Sequence, residues 1–174
     1  PASYTLLPDY YNLAFVYRKQ GRYREAENLY EKSLRISEKV LGEKHPLTAA
    51  GYNNLAGVYK KQGKYRQAEE LYEKSLRINK RVLGEEHPDI AAIYNNLAFM
   101  HRKQGRYKIA LGYYIKAYGI FLSNLGTEHP STEIIYKNMQ RAYFEWNPEG
   151  DFRQWLEGNL GNKYKKDLHF GDTR

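Results

Sequence analysis

The sequence predicts an all-α fold, a right-handed α-solenoid of helical hairpins, and three observations support this prediction. Glycines, tyrosines and His-Pro pairs recur with a fixed period, as at Gly21, Gly63 and Gly105, which lie 42 residues apart. Apolar residues within each repeat fall at helical spacing, and glycine or proline stands at each expected helix end. A period of this length indicates units that bury their apolar faces only against their neighbours.

The first helix of each repeat is predicted by apolar residues at i, i+3, i+4 and i+7. This stripe comprises Tyr10, Leu13, Ala14 and Tyr17 in the first repeat, Tyr52, Leu55, Ala56 and Tyr59 in the second, and Tyr94, Leu97, Ala98 and His101 in the third. A Gln-Gly pair follows each stripe. We expect the helix to end there, because glycine accepts the left-handed conformation of a helix stop.

The second helix of each repeat carries small residues that allow two backbones to approach closely. In the first repeat its inner stripe consists of Ala26, Leu29, Tyr30, Ser33 and Ile36. The helix is expected to end at Gly42, and the proline of the following His-Pro pair stands where the next helix begins, a position that proline tolerates.

The fourth repeat departs from the pattern after its first helix. Phe152, Trp155 and Leu156 follow at i, i+3 and i+4, with Asp151 as the N-cap, and predict a short capping helix. Terminal repeats are often atypical because one of their faces meets water. The residues that this helix is expected to cover are Tyr136, Met139 and Tyr143.

The repeats define one predicted domain over residues 1–156. Its repeats are expected at about 8–45, 46–87, 88–129 and, in divergent form, 130–156. Residues 157–174 are glycine-rich and charged, without helical periodicity, so we expect a loose C-terminal tail.

The composition excludes several classes of site. The chain contains no cysteine, which excludes disulfides and thiolate chemistry and fits a reducing, cytoplasmic location. We find no signal peptide and no apolar run long enough to span a membrane. The net charge of +8 lies on the regular repeats, where basic residues alternate with glutamate, so nucleic-acid binding is not favoured.

A second face of the first helices carries one asparagine per repeat. A row of asparagines, each with two donors and an acceptor, can pair with an extended peptide backbone. Basic residues beside this row, among them Arg18, Lys60 and Arg102, would favour carboxylates on the ligand. The candidate ligand-binding residues are Asn12, Phe15, Lys19, Asn54, Lys61, Asn96, Phe99, Lys103, Asn138 and Arg141.

Each of these residue types also has a purely structural interpretation. The asparagines could bond across neighbouring helices and keep the repeats in register. The two phenylalanines could belong to the core or anchor a ligand side chain, and a lysine row is most often a solvated face.

The repeat pattern resembles a known family. Tyr-x-x-Leu-Ala-x-x-Tyr followed by Gly-x-Tyr-x-x-Ala and Tyr resembles the tetratricopeptide repeat, and the longer unit with YNNLA, QGxY and LGxxHP resembles the 42-residue version of kinesin light chains. The resemblance covers about residues 8–143. It implies that the first helices line a concave groove, that asparagines at the phase of Asn54 and Asn96 contact bound peptide, and that the ligands are acidic.

The sequence gives no positive sign of an enzyme, a metal site or a cofactor. His45, His87 and His129 lie one repeat apart, about 10 Å by helix spacing, which is too far for ligands that bind zinc at about 2 Å. We interpret them as helix caps.

From the asparagine row and the basic residues beside it, the expected function is capture of an extended, acidic protein segment. The alternative is a structural spacer or self-associating array without a groove ligand.

Overall fold

The computed structural model describes residues 6–167, and the elements in this range are α-helices. The four hairpin-forming helices of the N-terminal half are α1 (Leu7–Lys19), α2 (Tyr23–Leu41), α3 (Pro46–Lys61) and α4 (Tyr65–Leu83). The C-terminal half contains α5 (Pro88–Lys103), α6 (Tyr107–Leu125), α7 (Pro130–Trp146), α8 (Phe152–Asn159) and α9 (Asn162–Lys165). The chain divides into these two compact halves after Glu85.

The His-Pro pairs begin the first helices, as predicted. The Nδ1 atom of His45 accepts a hydrogen bond from the backbone N–H of Leu47 at 3.2 Å, and the prolines stand at the first helical position. His87 and His129 make the same contact two residues ahead. The histidines therefore cap helices by binding amides that would otherwise lack a partner.

The glycines end the first helices, as predicted. Gly63 has φ +75°, the left-handed region that side chains disfavour, and it separates α3 from α4. The equivalent glycines of the other regular repeats, Gly21 and Gly105, also have positive φ.

The predicted inner stripes form the core of the second and third repeats. In the N-terminal half the stripe of α3 packs with Ala26, Tyr30 and Tyr72, which are all buried. The first repeat differs, because Leu13 of its predicted stripe is 43% exposed. No helix precedes α1 among the described residues, and within this range no earlier repeat covers the Leu13 side chain.

The capping helix α8 forms as predicted. The Asp151 carboxylate accepts a hydrogen bond from the backbone N–H of Gln154, and Phe152 and Leu156 are buried. The Phe152 ring lies 5.3 Å from that of Tyr136, and the Trp155 ring lies 5.2 Å from that of Tyr143.

The expectation of a loose tail from residue 157 is wrong for its described part. Leu160 and Tyr164 are buried, and α9 packs on α6. Two apolar side chains anchor a short segment that has no helical period, which is why the sequence pattern missed it. Residues 168–174 lie outside the described range. None of the helices in residues 6–167 has the length and apolar character needed to cross a membrane.

Candidate functional site

The predicted face of α1 is exposed. Asn12 and Lys19 are exposed, and Phe15 is 41% exposed, so Phe15 is not a core residue. The guanidinium of Arg18 and the ammonium of Lys19 lie 5.2 and 5.4 Å from the centre of the Phe15 ring. Cations are attracted to the negative face of an aromatic ring. The two positive charges are therefore held beside the exposed Phe15 ring.

A cleft of about 320 Å³ adjoins Asn12 in the N-terminal half. Its walls include Pro8 and Ala50, the residues that the repeat period places on the same face as the asparagines. Tyr11, Asn12 and Leu47 contribute further to this wall, and Ser33 and Ser37 of α2 line its floor.

Asn54 differs from the outward-facing residue that a peptide ligand would require. Its side-chain amide is partly buried and donates hydrogen bonds to the Tyr11 hydroxyl at 2.7 Å and to the Ala50 carbonyl at 2.9 Å. The first of these bonds joins α3 to α1. At this position the structure therefore contains the bond across neighbouring helices that the alternative interpretation expected.

A cluster of cations lies where α1 meets α3. A methyl group placed on Gly57 of α3 would lie 3.9 Å from the Nη1 atom of Arg18 on α1. Burial, with repulsion from Lys61 and Arg18, lowers the pKa of Lys60 to about 8. The Nε atom of Arg18 is buried and has no hydrogen-bond partner among the described residues. Like charges are thus gathered at a partly desolvated position.

In the C-terminal half the arginine equivalent to Arg18 is Arg102, and its charged neighbour is an acid instead of a lysine. Arg102 is buried, and its Nη1 atom donates to the Glu145 carboxylate at 2.7 Å. Arg141 donates to the same carboxylate oxygen at 3.3 Å. Arg102 and Lys103 also lie 5.7 Å from the centre of the Phe99 ring, as their equivalents do at Phe15.

The repeat period relates the two arrangements residue by residue. Arg102 corresponds to Arg18, and Glu145 corresponds to Lys61, each pair being 84 residues apart. An internal carboxylate therefore neutralises the arginine of the C-terminal half, whereas a lysine stands at that position in the N-terminal half.

The predicted site residues divide by exposure. Asn12, Phe15, Lys19, Lys61, Lys103 and Arg141 are exposed, and Asn54, Asn96, Phe99 and Asn138 are half-buried. The sequence had placed Arg18, Lys60 and Arg102 on the rim but missed the Arg102–Glu145 ion pair. A signal for that pair existed, because the period places an acid where the regular repeats have lysine.

The histidine and carboxylate side chains of the described residues do not form a metal-ligand cluster. His101 is buried and stacks on Tyr113 with 5.5 Å between ring centres, so it belongs to the core.

Solved structures similar to this chain are repeat proteins. BtubC (BKLC) from P. vanneervenii is 26% identical, with a TM-score of 0.78 over 99% of this chain and 69% of that protein. A kinesin-light-chain-like protein of Podosopora anserina with nearly identical TPR-like repeats is 28% identical, with a TM-score of 0.75 over 94% of this chain and 77% of that one. The N-terminal domain of stress-induced protein-1 from C. elegans, at 18% identity and a TM-score of 0.58 over 82% of this chain and 98% of that one, shares the fold.

A search of curated proteins gave no match. The family model of the tetratricopeptide repeat matches residues 10–81, 49–123 and 89–148, which together span most of the chain. The chain therefore belongs to the tetratricopeptide repeat family, and its repeats are like those of kinesin light chains.

Proposed function

We propose that this chain binds an extended, acidic segment of another protein on its first helices, with a ligand carboxylate held by Arg18 and Lys61. Tetratricopeptide repeats are in general protein-interaction modules. The observation that carries the finer proposal is the Arg102–Glu145 ion pair, because it is an example in this chain of a carboxylate bound by the equivalent arginine.

The N-terminal half is the preferred site for the acidic residue of the ligand. Arg18, Lys60 and Lys61 gather positive charge there, and the exposed Phe15 ring lies beside them. A carboxylate at this position would relieve the repulsion among the three cations. Charge-assisted hydrogen bonds to arginine are among the stronger polar contacts in proteins.

The remaining predicted residues supply backbone contacts in this proposal. Asn12 is exposed beside the cleft of the N-terminal half, where it can reach a peptide group. In the C-terminal half the proposed contacts come from Asn96, Phe99, Lys103, Asn138 and Arg141. In the N-terminal half the other proposed contacts come from Lys19 and Asn54. Asn54 would use the carbonyl oxygen of its side chain, because its amide N–H groups already donate to Tyr11 and Ala50.

Titration tests the proposal. The probe is a fluorescein-labelled peptide of twelve alternating glutamates and serines, and its counterpart replaces every glutamate with glutamine. We expect the acidic peptide to bind more tightly, and Lys61→Glu, which copies Glu145, to weaken it by about fivefold or more. The effect should shrink with added salt, since the Debye length is only about 8 Å at physiological ionic strength.

Lys32→Glu is the matched control, because Lys32 is an exposed lysine on α2 and the change in net charge is the same. Equal losses in the two variants would mean that only net charge matters. Equal binding of the acidic peptide and its glutamine counterpart would reject the proposal.

A structural spacer remains the second candidate function, and one observation favours it. The Asn54–Tyr11 hydrogen bond ties neighbouring first helices together, as expected if the asparagines only keep repeats in register. The two candidates differ at Asn12, which is exposed. Asn12→Ala should weaken peptide binding if the chain is a peptide-binding module, and it should have no effect if the chain is a structural spacer.

We also propose that the chain acts in the cytoplasm as a non-enzymatic scaffold, without membrane or nucleic-acid partners. The lack of cysteine and the alternation of basic residues with glutamate support this assignment. Retention of the protein on a heparin column at physiological salt would argue against the absence of nucleic-acid partners.

A further inference from the structure

One face of α1 has the composition of a packed helix surface but is exposed. Leu13 and Val16 on this face are 43% and 45% exposed. Their equivalents on α3, 42 residues later, are Leu55 and Val58, which are only 3% and 0% exposed. The covering helix makes the difference, because α2 packs on α3, whereas no described helix covers α1 from the same side. A contiguous apolar stripe left in solvent marks a contact surface for another element.

The packing of α2 on α3 shows which polar groups such a face binds. Donors on α3 and on the turn that follows it each bond to a glutamate of α2. These hydrogen bonds run from Tyr52 to Glu38 at 2.7 Å, from Tyr59 to Glu31 at 3.0 Å, and from Gln62 and Lys64 to Glu27 at 2.7 and 2.8 Å. The three glutamates lie at i, i+4 and i+11 of one helix. This face therefore binds a helix with a defined series of carboxylates.

The same set of donors stands on α1 and on the turn that follows it, one repeat earlier. The set comprises Tyr10, Tyr17, Gln20 and Arg22, the equivalents of Tyr52, Tyr59, Gln62 and Lys64. The Arg22 guanidinium lies 4.1 Å from the centre of the Tyr17 ring, as the Lys64 ammonium lies 5.1 Å from that of Tyr59. Arg22 also pairs with Glu25 of its own repeat, where both side chains are about half exposed. Such a pair is weak, and a guanidinium has further donors for a second carboxylate.

One position on α1 departs from this correspondence. Asp9 stands where α3 has Gly51. The Leu34 side chain of α2 lies against Gly51, since a methyl group there would be 3.1 Å from the Leu34 Cδ1 atom. On α1 a leucine at this place would face the exposed Asp9 carboxylate. Leu34 occupies i+7 of the glutamate series, so a helix suited to α1 would carry a cation at i+7 instead.

We propose that this face of α1 binds an amphipathic helix of a partner protein, with glutamates at i, i+4 and i+11 and a lysine or arginine at i+7. The first glutamate would accept from Gln20 and Arg22, the second from Tyr17 and the third from Tyr10. Apolar groups between the glutamates would cover Leu13 and Val16, in the manner of helices that lie along an apolar face.

This surface differs from the site proposed above for an extended acidic segment. The α1 residues of that site are Asn12, Phe15 and Lys19, which lie on another face of the helix. The two proposals can therefore fail independently.

The chain itself is a poor source of the proposed helix. The glutamates of α2 are already bound by the donors beside them. The period gives α4 a lysine, Lys80, in the place of Glu38, and it gives α6 apolar residues at all three places, namely Leu111, Ile115 and Leu122. Residues 1–5 and 168–174 contain a single acidic residue, Asp172. The required charges therefore favour a partner helix over a second copy of this chain.

Fluorescence anisotropy with labelled peptides tests the proposal on the full chain. The probe has the sequence of residues 23–41 with Leu34→Lys. A second peptide also replaces the three glutamates with glutamine. A third keeps the composition of the probe but exchanges each glutamate with the residue that follows it, which moves the carboxylates around the helix. We expect the probe to bind about tenfold or more tightly than either, because its carboxylates alone meet the donors of α1.

A fourth peptide isolates the cation by keeping the leucine of α2 at position 34. It should bind about threefold less tightly than the probe, because it offers no charge to Asp9. Equal binding of the two peptides would overturn the part of the proposal that concerns i+7.

Variants of the chain locate the binding surface. Val16→Glu should weaken the probe about tenfold, because it places a carboxylate opposite the glutamates and on the apolar stripe. Val40→Glu is the matched control, since Val40 on α2 is 44% exposed and the change in charge is the same. Tyr17→Phe removes one hydroxyl and should cost about threefold. Lys61→Glu, which tests the extended-segment site, should change probe binding by no more than about twofold.

Sedimentation velocity of the parent chain without peptide should show a monomer. The proposal is overturned if the probe fails to bind, if the probe and the exchanged peptide bind equally, or if Val40→Glu weakens binding as much as Val16→Glu. It is also overturned if the parent chain forms a dimer that Val16→Glu dissociates, since a second copy would then occupy this face.

Discussion

The Arg102 guanidinium and the Glu145 carboxylate lie 2.7 Å apart in the C-terminal half, and the period gives Lys61 the place of Glu145 in the N-terminal half. One repeat position therefore carries opposite charges in the two halves. Arg102 is almost fully buried, while Glu145 keeps about a third of its side chain exposed. The pair thus satisfies a buried cation with a carboxylate that still reaches solvent.

Removal of this carboxylate should destabilise the C-terminal half. We expect Glu145→Gln to lower the free energy of unfolding by about 1–2 kcal/mol, because it leaves Arg102 buried without its charged partner and solvent screens part of the loss. Urea unfolding followed by circular dichroism measures the difference. Glu157→Gln is the control, since Glu157 is exposed on α8 and no ion pair involves it among the described residues. A neutral result for both variants would mean that the pair contributes nothing.

Asn54 and Asn12 should separate stability from binding. Asn54→Ala should lower the free energy of unfolding by about 1 kcal/mol, because it leaves the Tyr11 hydroxyl without its donor. Asn12→Ala should leave stability unchanged, because Asn12 is exposed. A double-mutant cycle with Tyr11→Phe measures the coupling directly. Strictly additive losses in that cycle would show that the Asn54–Tyr11 bond is not formed in solution.

Much of this architecture follows from the sequence, because the period repeats several independent signals. The Tyr52 stripe, the stop at Gly63 and the cap at His45 were each predicted from local spacing, and each is observed. These features depend on residues within one helix or at its end. Periodicity therefore suffices to place them.

The remaining features depend on contacts between elements that share no pattern. The Tyr164 anchor was missed because a single aromatic residue in a glycine-rich segment has no period. The sequence could not decide whether Asn54 bonds to a neighbouring helix. Residue spacing indicates the helix face on which a side chain lies, but not whether a partner such as Tyr11 lies within hydrogen-bond distance. The exposure of Leu13 was missed for a similar reason, because the stripe predicts a packing face without showing that another helix covers it.

Lys60 should make stability depend on pH above 8. Its pKa is lowered to about 8 in the folded chain, against the ordinary value of 10.5, chiefly by burial. Below pH 8 both states carry the proton and the folded state bears the full cost of the buried charge. Between pH 8 and 10.5 the unfolded chain binds more protons than the folded chain, so stability rises with pH.

Lys60→Met removes this contribution and supplies the comparison. The rise attributable to Lys60 should reach about 2 kcal/mol between pH 8 and 10, the difference between the wild-type and variant unfolding curves. Buried tyrosines such as Tyr59, whose pKa is raised to about 12, work in the opposite direction above pH 10, but both proteins share them. Parallel curves for the two proteins from pH 7 to 10 would contradict the lowered pKa.

Gly119 and Gly112 offer a matched test of how α9 is anchored, because both lie on α6. A methyl group on Gly119 would overlap the Tyr164 ring, whereas one on Gly112 would have no neighbour within 4 Å. Gly112→Ala should stabilise the chain by about 0.5–1 kcal/mol through helix propensity alone. Gly119→Ala should lose that gain and expel the ring. Hydrogen exchange should then show lost protection in residues 160–167, with the α3 amides unchanged.

The double variant Gly119→Ala with Tyr164→Ala decides the cause. With the ring removed, the methyl group on Gly119 should cost nothing, so adding Gly119→Ala to Tyr164→Ala should raise the melting temperature as Gly112→Ala does. Tyr164→Phe isolates the hydroxyl, whose hydrogen bond to Glu86 should contribute about 1 kcal/mol. If Gly119→Ala instead destabilised the chain equally with and without the Tyr164 ring, the segment would be held by Leu160 and the Glu86 contacts alone. The glycine would then have no part in seating the aromatic side chain.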